Sequence, residues 1–173
     1  MENVNSELII ENKVAGSGLI TLNLEDYFDK TPRAELDIKP WLFREMILKE
    51  KDFREYVKQH NWEQYAGKHV AVYCSTDAII PTWAYMLIAI QLQPLAKRIV
   101  FGTTETLNTL LYEEAINAID FAQFTDKRMI VKGCSDVPVP VQAYVEVTRR
   151  LMPFAKSIMY GEACSNVPLF KKK

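Results

Sequence analysis

An α/β fold, a doubly wound and mainly parallel sheet built from a tandem βαβ repeat, is what this sequence predicts. Three observations carry that reading. From residue 67 onward, short apolar runs alternate with longer helical patterns, the order expected of parallel strands joined by crossover helices. Two stretches are near copies. One reads Pro81-Thr82-Trp83-Ala84-Tyr85, eight residues, then Pro94-Leu95-Ala96-Lys97-Arg98-Ile99-Val100-Phe101-Gly102. The other reads Pro140-Val141-Gln142-Ala143-Tyr144, eight residues, then Pro153-Phe154-Ala155-Lys156-Ser157-Ile158-Met159-Tyr160-Gly161. Each copy also follows a strand-like run that ends in Cys-Ser, at Cys74-Ser75 and Cys134-Ser135.

Residues 19–24 alternate well enough for a strand, and residues 34–38 form a second short extended piece. Pro40 suits the first turn of a helix. Trp41, Phe43, Met46, Ile47, Phe53, Tyr56 and Val57 recur at helical spacing among charges, which predicts one or two amphipathic helices reaching about residue 59. Residues 69–73 predict the first repeat strand, 81–93 a helix entered through proline, 98–101 the second strand and 105–119 a helix. Residues 128–132 predict the third strand, 140–152 a helix and 157–160 the fourth strand. The copy maps the first strand onto the third and the second onto the fourth. A twofold parallel to the strands then gives the spatial order 2-1-3-4, with the switch point between strands one and three. The helix at 81–93 is apolar almost all round, whereas its copy carries Glu146, Arg149 and Arg150. The apolar helix needs cover, from the N-terminal helices or from a second subunit, so a homodimer is one expectation.

A chain of 173 residues fits one domain, with an N-terminal strand and helix portion (1–66) ahead of the duplicated core (67–173). The 21 basic and 22 acidic residues leave a net charge of −1, which favours no nucleic-acid partner. Lys171, Lys172 and Lys173 read as a solvated tail. Residues 1–12 are polar and lack the apolar core of a secretory leader. The longest apolar stretch, 78–92, is interrupted by Thr82 and Gln91 and is too short to cross a bilayer, so no membrane partner is expected. Three cysteines cannot all pair within one chain. With no leader, they predict a reduced, cytoplasmic setting.

Cys74, Cys134 and Cys164 each follow a strand and precede serine. In the order 2-1-3-4, Cys74 and Cys134 flank the switch-point crevice and Cys164 follows the neighbouring strand. Thiolates bind zinc and iron–sulfur clusters, and zinc–sulfur bonds near about 2.3 Å require ligand sulfurs within about 4 Å of one another. Adjacent strands lie about 4.8 Å apart, so Cys74 and Cys134 would reach. Cys164 needs its loop to bend inward. Asp77 and Asp136, at matched places in the two copies, are candidate fourth ligands; both also read as loop hydrogen-bonders ahead of a helix. Glu105, where the repeat would put Cys164, is an outside candidate. The expected metal set is therefore Cys74, Cys134, Cys164, Asp77 and Asp136, holding zinc or an iron–sulfur cluster.

Two other readings stand beside it. One is a thiol enzyme or sulfur carrier without metal. The other is a non-catalytic interaction domain whose cysteines are packing groups. There is no Cys-x-x-Cys, and no arginine stands six residues after Cys74 or Cys134 as a phosphatase loop would require. Neither His69 nor His60 is placed as a general base. The loop Cys74-Ser75-Thr76-Asp77-Ala78 lacks the glycines that let backbone approach a phosphate, so a flavin or dinucleotide is not expected.

The segments Lys13-Val14-Ala15, Gly18-Leu19-Ile20-Thr21, Glu50-Lys51-Asp52-Phe53-Arg54-Glu55, Tyr73-Cys74-Ser75, Ile80-Pro81-Thr82-Trp83-Ala84-Tyr85, Lys132-Gly133-Cys134-Ser135-Asp136 and Gly161-Glu162-Ala163-Cys164-Ser165 together resemble a bacterial family known as domain of unknown function 2480. The resemblance covers essentially the whole chain. It assigns no activity. What it implies is an association with iron–sulfur assembly proteins, and with it a metal, cluster or persulfide role for Cys74, Cys134 and Cys164.

Overall fold

The computed structural model describes residues 18–133 and 136–173, so the leader reading of residues 1–12 and the site candidate Cys134 lie outside the described residues. The fold is α/β. Seven strands and four α-helices stand among the described residues, divided between two compact units.

One unit runs from Asp29 to Leu110. Its strands β2 (Arg33–Asp37), β3 (His69–Tyr73) and β4 (Arg98–Phe101) pair in that order, all parallel. The central strand His69-Val70-Ala71-Val72-Tyr73 is buried on both faces for its first four residues, which is why it reads as a continuous apolar run. Val70 and Val72, on one face of β3, enter a single core with Phe53 and Val57 of α1 (Glu50–Gln59) and Ala84, Ile88 and Leu92 of α2 (Thr82–Leu92). Both helices therefore cover the same side of the sheet.

The other unit joins β1 (Leu19–Asn23) to the chain from Leu111 onward. The boundary falls inside α3 (Thr104–Asn117). Strands β1, β5 (Arg128–Lys132) and β6 (Ser157–Glu162) are parallel, and β7 (Ser165–Lys171) adds to β6 antiparallel. The core holds Tyr112 and Ile116 of α3, Met129 and Val131 of β5, and Ala143, Val147 and Leu151 of α4 (Val141–Leu151).

The two units are versions of one design, and the copying is longer than the proline-led segments. His69 stands to Arg128 as Thr82 to Val141 and Arg98 to Ser157, 59 positions on each time. At that spacing Phe53 and Val57 match Tyr112 and Ile116, Tyr65 matches Phe124, and Ile88 and Leu92 match Val147 and Leu151; all are buried. Backbone strain repeats as well: Gly67 and Asp126 both take a positive φ, as do Gly102 and Gly161. A second, shorter copy precedes these. Leu22-Asn23-Leu24 matches Leu36-Asp37-Ile38, with both flanking residues buried each time.

The short copy explains a correction. The order 2-1-3-4 would have paired β3 with β5 in one sheet. Instead β3 is flanked by β2 and β4, and β5 by β1 and β6. A lone βαβ leaves the backbone of its central strand unpaired on one side. Here β2 and β1 fill that side in equivalent register, Arg33 opposite His69 and Leu19 opposite Arg128.

Two further differences are local. Pro40 does stand in the first turn of a helix, a short 3-10 one, Lys39–Trp41, but residues 43–47 form a tight turn, with Phe43 bridged to Ile47 and positive φ at Arg44 and Glu45, so the α-helix begins only at Glu50. Strand β7 was hidden by Pro168, which lacks the N–H a central strand needs. As an edge strand β7 tolerates it, beside a register shift between Ile158 and Met159.

Candidate functional site

The carboxyl end of the β2–β3–β4 sheet gathers a thiol, hydroxyls and two carboxylates. Ligands of open parallel sheets bind at this end, where the strands stop and loops begin. Cys74 follows β3 directly and is half-buried against the core of its unit. Asp37 closes β2. Its carboxylate accepts from the Lys39 backbone N–H at 2.9 Å, from the Ser75 N–H at 3.0 Å and from the Ser75 hydroxyl at 2.5 Å. One carboxylate thus ties the loop after β2 to the loop carrying the cysteine. Burial works against its charge, yet the Ser75 hydroxyl and the two amides hold the Asp37 carboxyl below its ordinary range.

Glu35, two residues earlier on the same face of β2, reaches the start of α3. It accepts the Thr104 hydroxyl at 2.6 Å and the Thr104 N–H at 3.4 Å, and its second oxygen accepts the Tyr73 hydroxyl at 3.2 Å. The Thr104 hydroxyl is the main reason its carboxyl is held below the usual range. A carboxylate at a helix N-terminus also meets the positive end of the helix dipole. Tyr85 comes from the first turn of α2, and its ring meets Phe101 edge-on at 4.8 Å. Burial, then the charges of Cys74 and Asp37, push the Tyr85 phenol upward, so it keeps its proton at neutral pH.

The same edge of the other unit acts as an internal comparison. At the 59-residue spacing Tyr85 matches Tyr144, and Asp77 matches Asp136. Cys74, however, matches Gly133, and it is Ser75 that matches Cys134. The repeated Cys-Ser pairs are one position out of register. At Gly133 an added Cβ would lie 2.1 Å from the Tyr144 hydroxyl, so that tyrosine takes the room a side chain would need. By the shorter copy, Glu35 and Asp37 match Thr21 and Asn23, and Tyr73 matches Lys132, which pairs with Glu162 at 2.7 Å. The scaffold does not require the thiol or the two carboxylates, since its copy does without them.

The sequence-predicted site residues fall apart accordingly. Cys74 belongs to one unit; Cys164, exposed in the turn between β6 and β7, belongs to the other. Asp77 is exposed in the loop ahead of α2. Asp136 is exposed, and its backbone N–H donates to Glu25 at 3.3 Å. Glu105 is exposed in the first turn of α3. The adjacency that was to bring Cys74 within ligand distance of Cys134 depended on β3 pairing with β5, and that pairing is not made. Among the described residues, no three His, Cys, Asp or Glu side chains gather as a metal-ligand set. His69 is buried at the opposite, amino end of β3, with Nε2 3.0 Å from Asp29, and His60 packs among Trp41, Trp62 and Tyr65.

Glu35, Asp37, Tyr73, Tyr85 and Thr104 are site residues that no sequence motif marks. The short Leu-Asn-Leu and Leu-Asp-Ile copy was the signal available, because it puts Asp37 at the end of a core strand rather than in a peripheral one. No helix among the described residues is long and apolar enough to cross a membrane. A family described as proteins of unknown function, DUF2480, matches residues 8–172. Neither a curated protein nor a solved structure matches this chain.

Proposed function

The chain belongs to the DUF2480 family of proteins of unknown function, and we propose that it acts through the thiol of Cys74 as a nucleophile that takes up a small electrophilic group at the carboxyl edge of the β2–β3–β4 sheet. One observation carries this reading: Cys74 stands where the duplicated scaffold has a glycine, on a loop tied down by the Asp37 carboxylate, which the copy replaces with Asn23. In the step itself the thiol proton leaves to solvent and the sulfur electron pair forms the new bond. The leaving group departs with the electrons of the bond that breaks. Tyr85, which keeps its proton, is the donor able to steady the sulfur as its charge forms. Asp37 and Ser75 hold the loop that presents it.

Exposure and chemistry make opposite predictions for the order of labelling. Cys164 is the more exposed thiol, so exposure alone has it react first. The proposal expects Cys74 to alkylate faster than Cys164 with iodoacetamide at pH 7, read peptide by peptide in a mass spectrometer. If Cys164 leads and Cys74 labels only on unfolding, Cys74 is a packing group and the proposal fails. Zinc or iron that copurifies with the protein and is lost in Cys74→Ser would instead favour ligation by this thiol.

A further inference from the structure

A second site lies in the other unit, in a cavity of about 410 Å³ between the end of α4 and the turn that precedes β5. Its apolar lining is Ile119, Phe121, Pro153 and Phe154, and Arg149 and Arg150 stand at its side. The volume falls within the range of small-molecule pockets. We propose that this cavity binds a small organic anion, its apolar body on Phe121 and Phe154 and its charged end at Arg149.

The internal repeat supplies the argument. At the 59-residue spacing, Ile119 and Phe121 match His60 and Trp62. In the first unit those two rings pack edge-on at 4.7 Å. In the second unit Phe121 replaces the larger Trp62 and Ala122 replaces Glu63, and the cavity lies beside them. The charges are also particular to it. Arg149 and Arg150 match Ile90 and Gln91, Glu146 matches Leu87, and Asn117 matches Lys58. The scaffold therefore folds without any of this polar group.

The group is built to aim the guanidiniums. Glu146 accepts from Arg149 Nε at 3.0 Å and from its terminal nitrogen at 2.7 Å, and from Arg150 Nε at 2.6 Å. Arg150 also donates to Asn117 and lies 5.7 Å from the centre of the Phe121 ring. Glu146 is 15% exposed while Arg149 is 68% exposed, so the anchoring carboxylate lies behind and the cation in front. Each guanidinium keeps N–H donors beyond those used. Asp120 also lines the cavity, but one of its oxygens accepts the Ala122 N–H at 3.0 Å. Its negative charge steers an anion toward the Arg149 side.

The test uses 1-anilinonaphthalene-8-sulfonate, an aromatic anion whose fluorescence rises on entering an apolar site, titrated into the whole protein. Saturable binding is expected, displaced by octanoate and not by octylammonium. Arg149→Gln leaves Glu146 paired with Arg150 and should weaken the probe about tenfold, the loss of one charge-assisted hydrogen bond. Ala122→Trp, at an exposed position on the cavity wall, should abolish binding by filling the space. Circular dichroism checks that both variants fold. Ile90→Gln, at the matching place on α2, should leave the titration unchanged. No binding by the wild type, titrations of Arg149→Gln and Ala122→Trp that overlay it, or loss of the probe in Ile90→Gln would each overturn the assignment.

Discussion

Gly102 and Asp29 mark the two ends of the first unit's sheet, and each makes a separate prediction. Gly102 leaves β4 at φ 131°, and a Cβ there would meet the Thr106 side chain at 2.7 Å. Gly102→Ala should cost about 1–3 kcal/mol, read as a shift of the urea midpoint. Gly67→Ala, at positive φ but in open space, should cost less. Asp29 sits under His69. Burial pushes its carboxyl up, but the Thr31 hydrogen bonds and His69 pull it further down, from 3.8 to about 2. A carboxyl lowered by folding stabilises above its unfolded value, and that contribution is lost as pH falls from about 4 through about 2. Urea midpoints should therefore drop over that window, and Asp29→Asn should flatten the drop; an unchanged slope would rule Asp29 out as the acid-sensitive group. The cysteines belong to this scale too. Their Cys-Ser pairs were plain in the sequence, but a two-residue match says nothing about register, and one residue of slip puts Cys134 with Ser75.

At the scale of elements, α2 and α4 are the same helix with different outer faces. Each begins after a proline and buries Ala, a branched residue and Leu at four-residue intervals: Ala84, Ile88 and Leu92; Ala143, Val147 and Leu151. Leu92 and Leu151 are fully buried at matched positions. Leu92→Ala and Leu151→Ala should each cost about 2–5 kcal/mol by denaturant titration. A large cost at one and almost none at the other would break the equivalence of the halves. Outward, α2 exposes Met86 and Ile90, where α4 has Val145 and Arg149. The helices and the four repeat strands were legible because proline entry and apolar period are local signals. Strands β1 and β2 were legible as strands but not as partners. Their pairing is fixed by contacts far along the chain, Leu19 with Arg128 across more than a hundred residues. Strand β7 was hidden because its support comes from β6 alone; six of its seven residues, all but Phe170, lie exposed, and no apolar period survives.

For the molecule as a whole, duplication separates what the fold needs from what was added to it. The central positions of β3 and β5 and the inner faces of α2 and α4 are buried alike in the two halves. Two of the places where they differ are the thiol edge around Cys74 and the arginine-sided cavity around Arg149. The α/β class could be read from the alternation of strand and helix; the division into two sheets could not, because nothing local tells a strand which copy's edge it will join. The central claim is that Cys74 is a working thiol where its copy has Gly133, with Tyr85 as the group that steadies its charge. The most direct measurement is the alkylation rate of Cys74 across pH 6–9 in Tyr85→Phe and in Tyr144→Phe, the matching change in the other half. The account predicts that Tyr85→Phe slows Cys74 and moves its pH profile upward, while Tyr144→Phe leaves both as in the wild type. Equal profiles in all three proteins would contradict it.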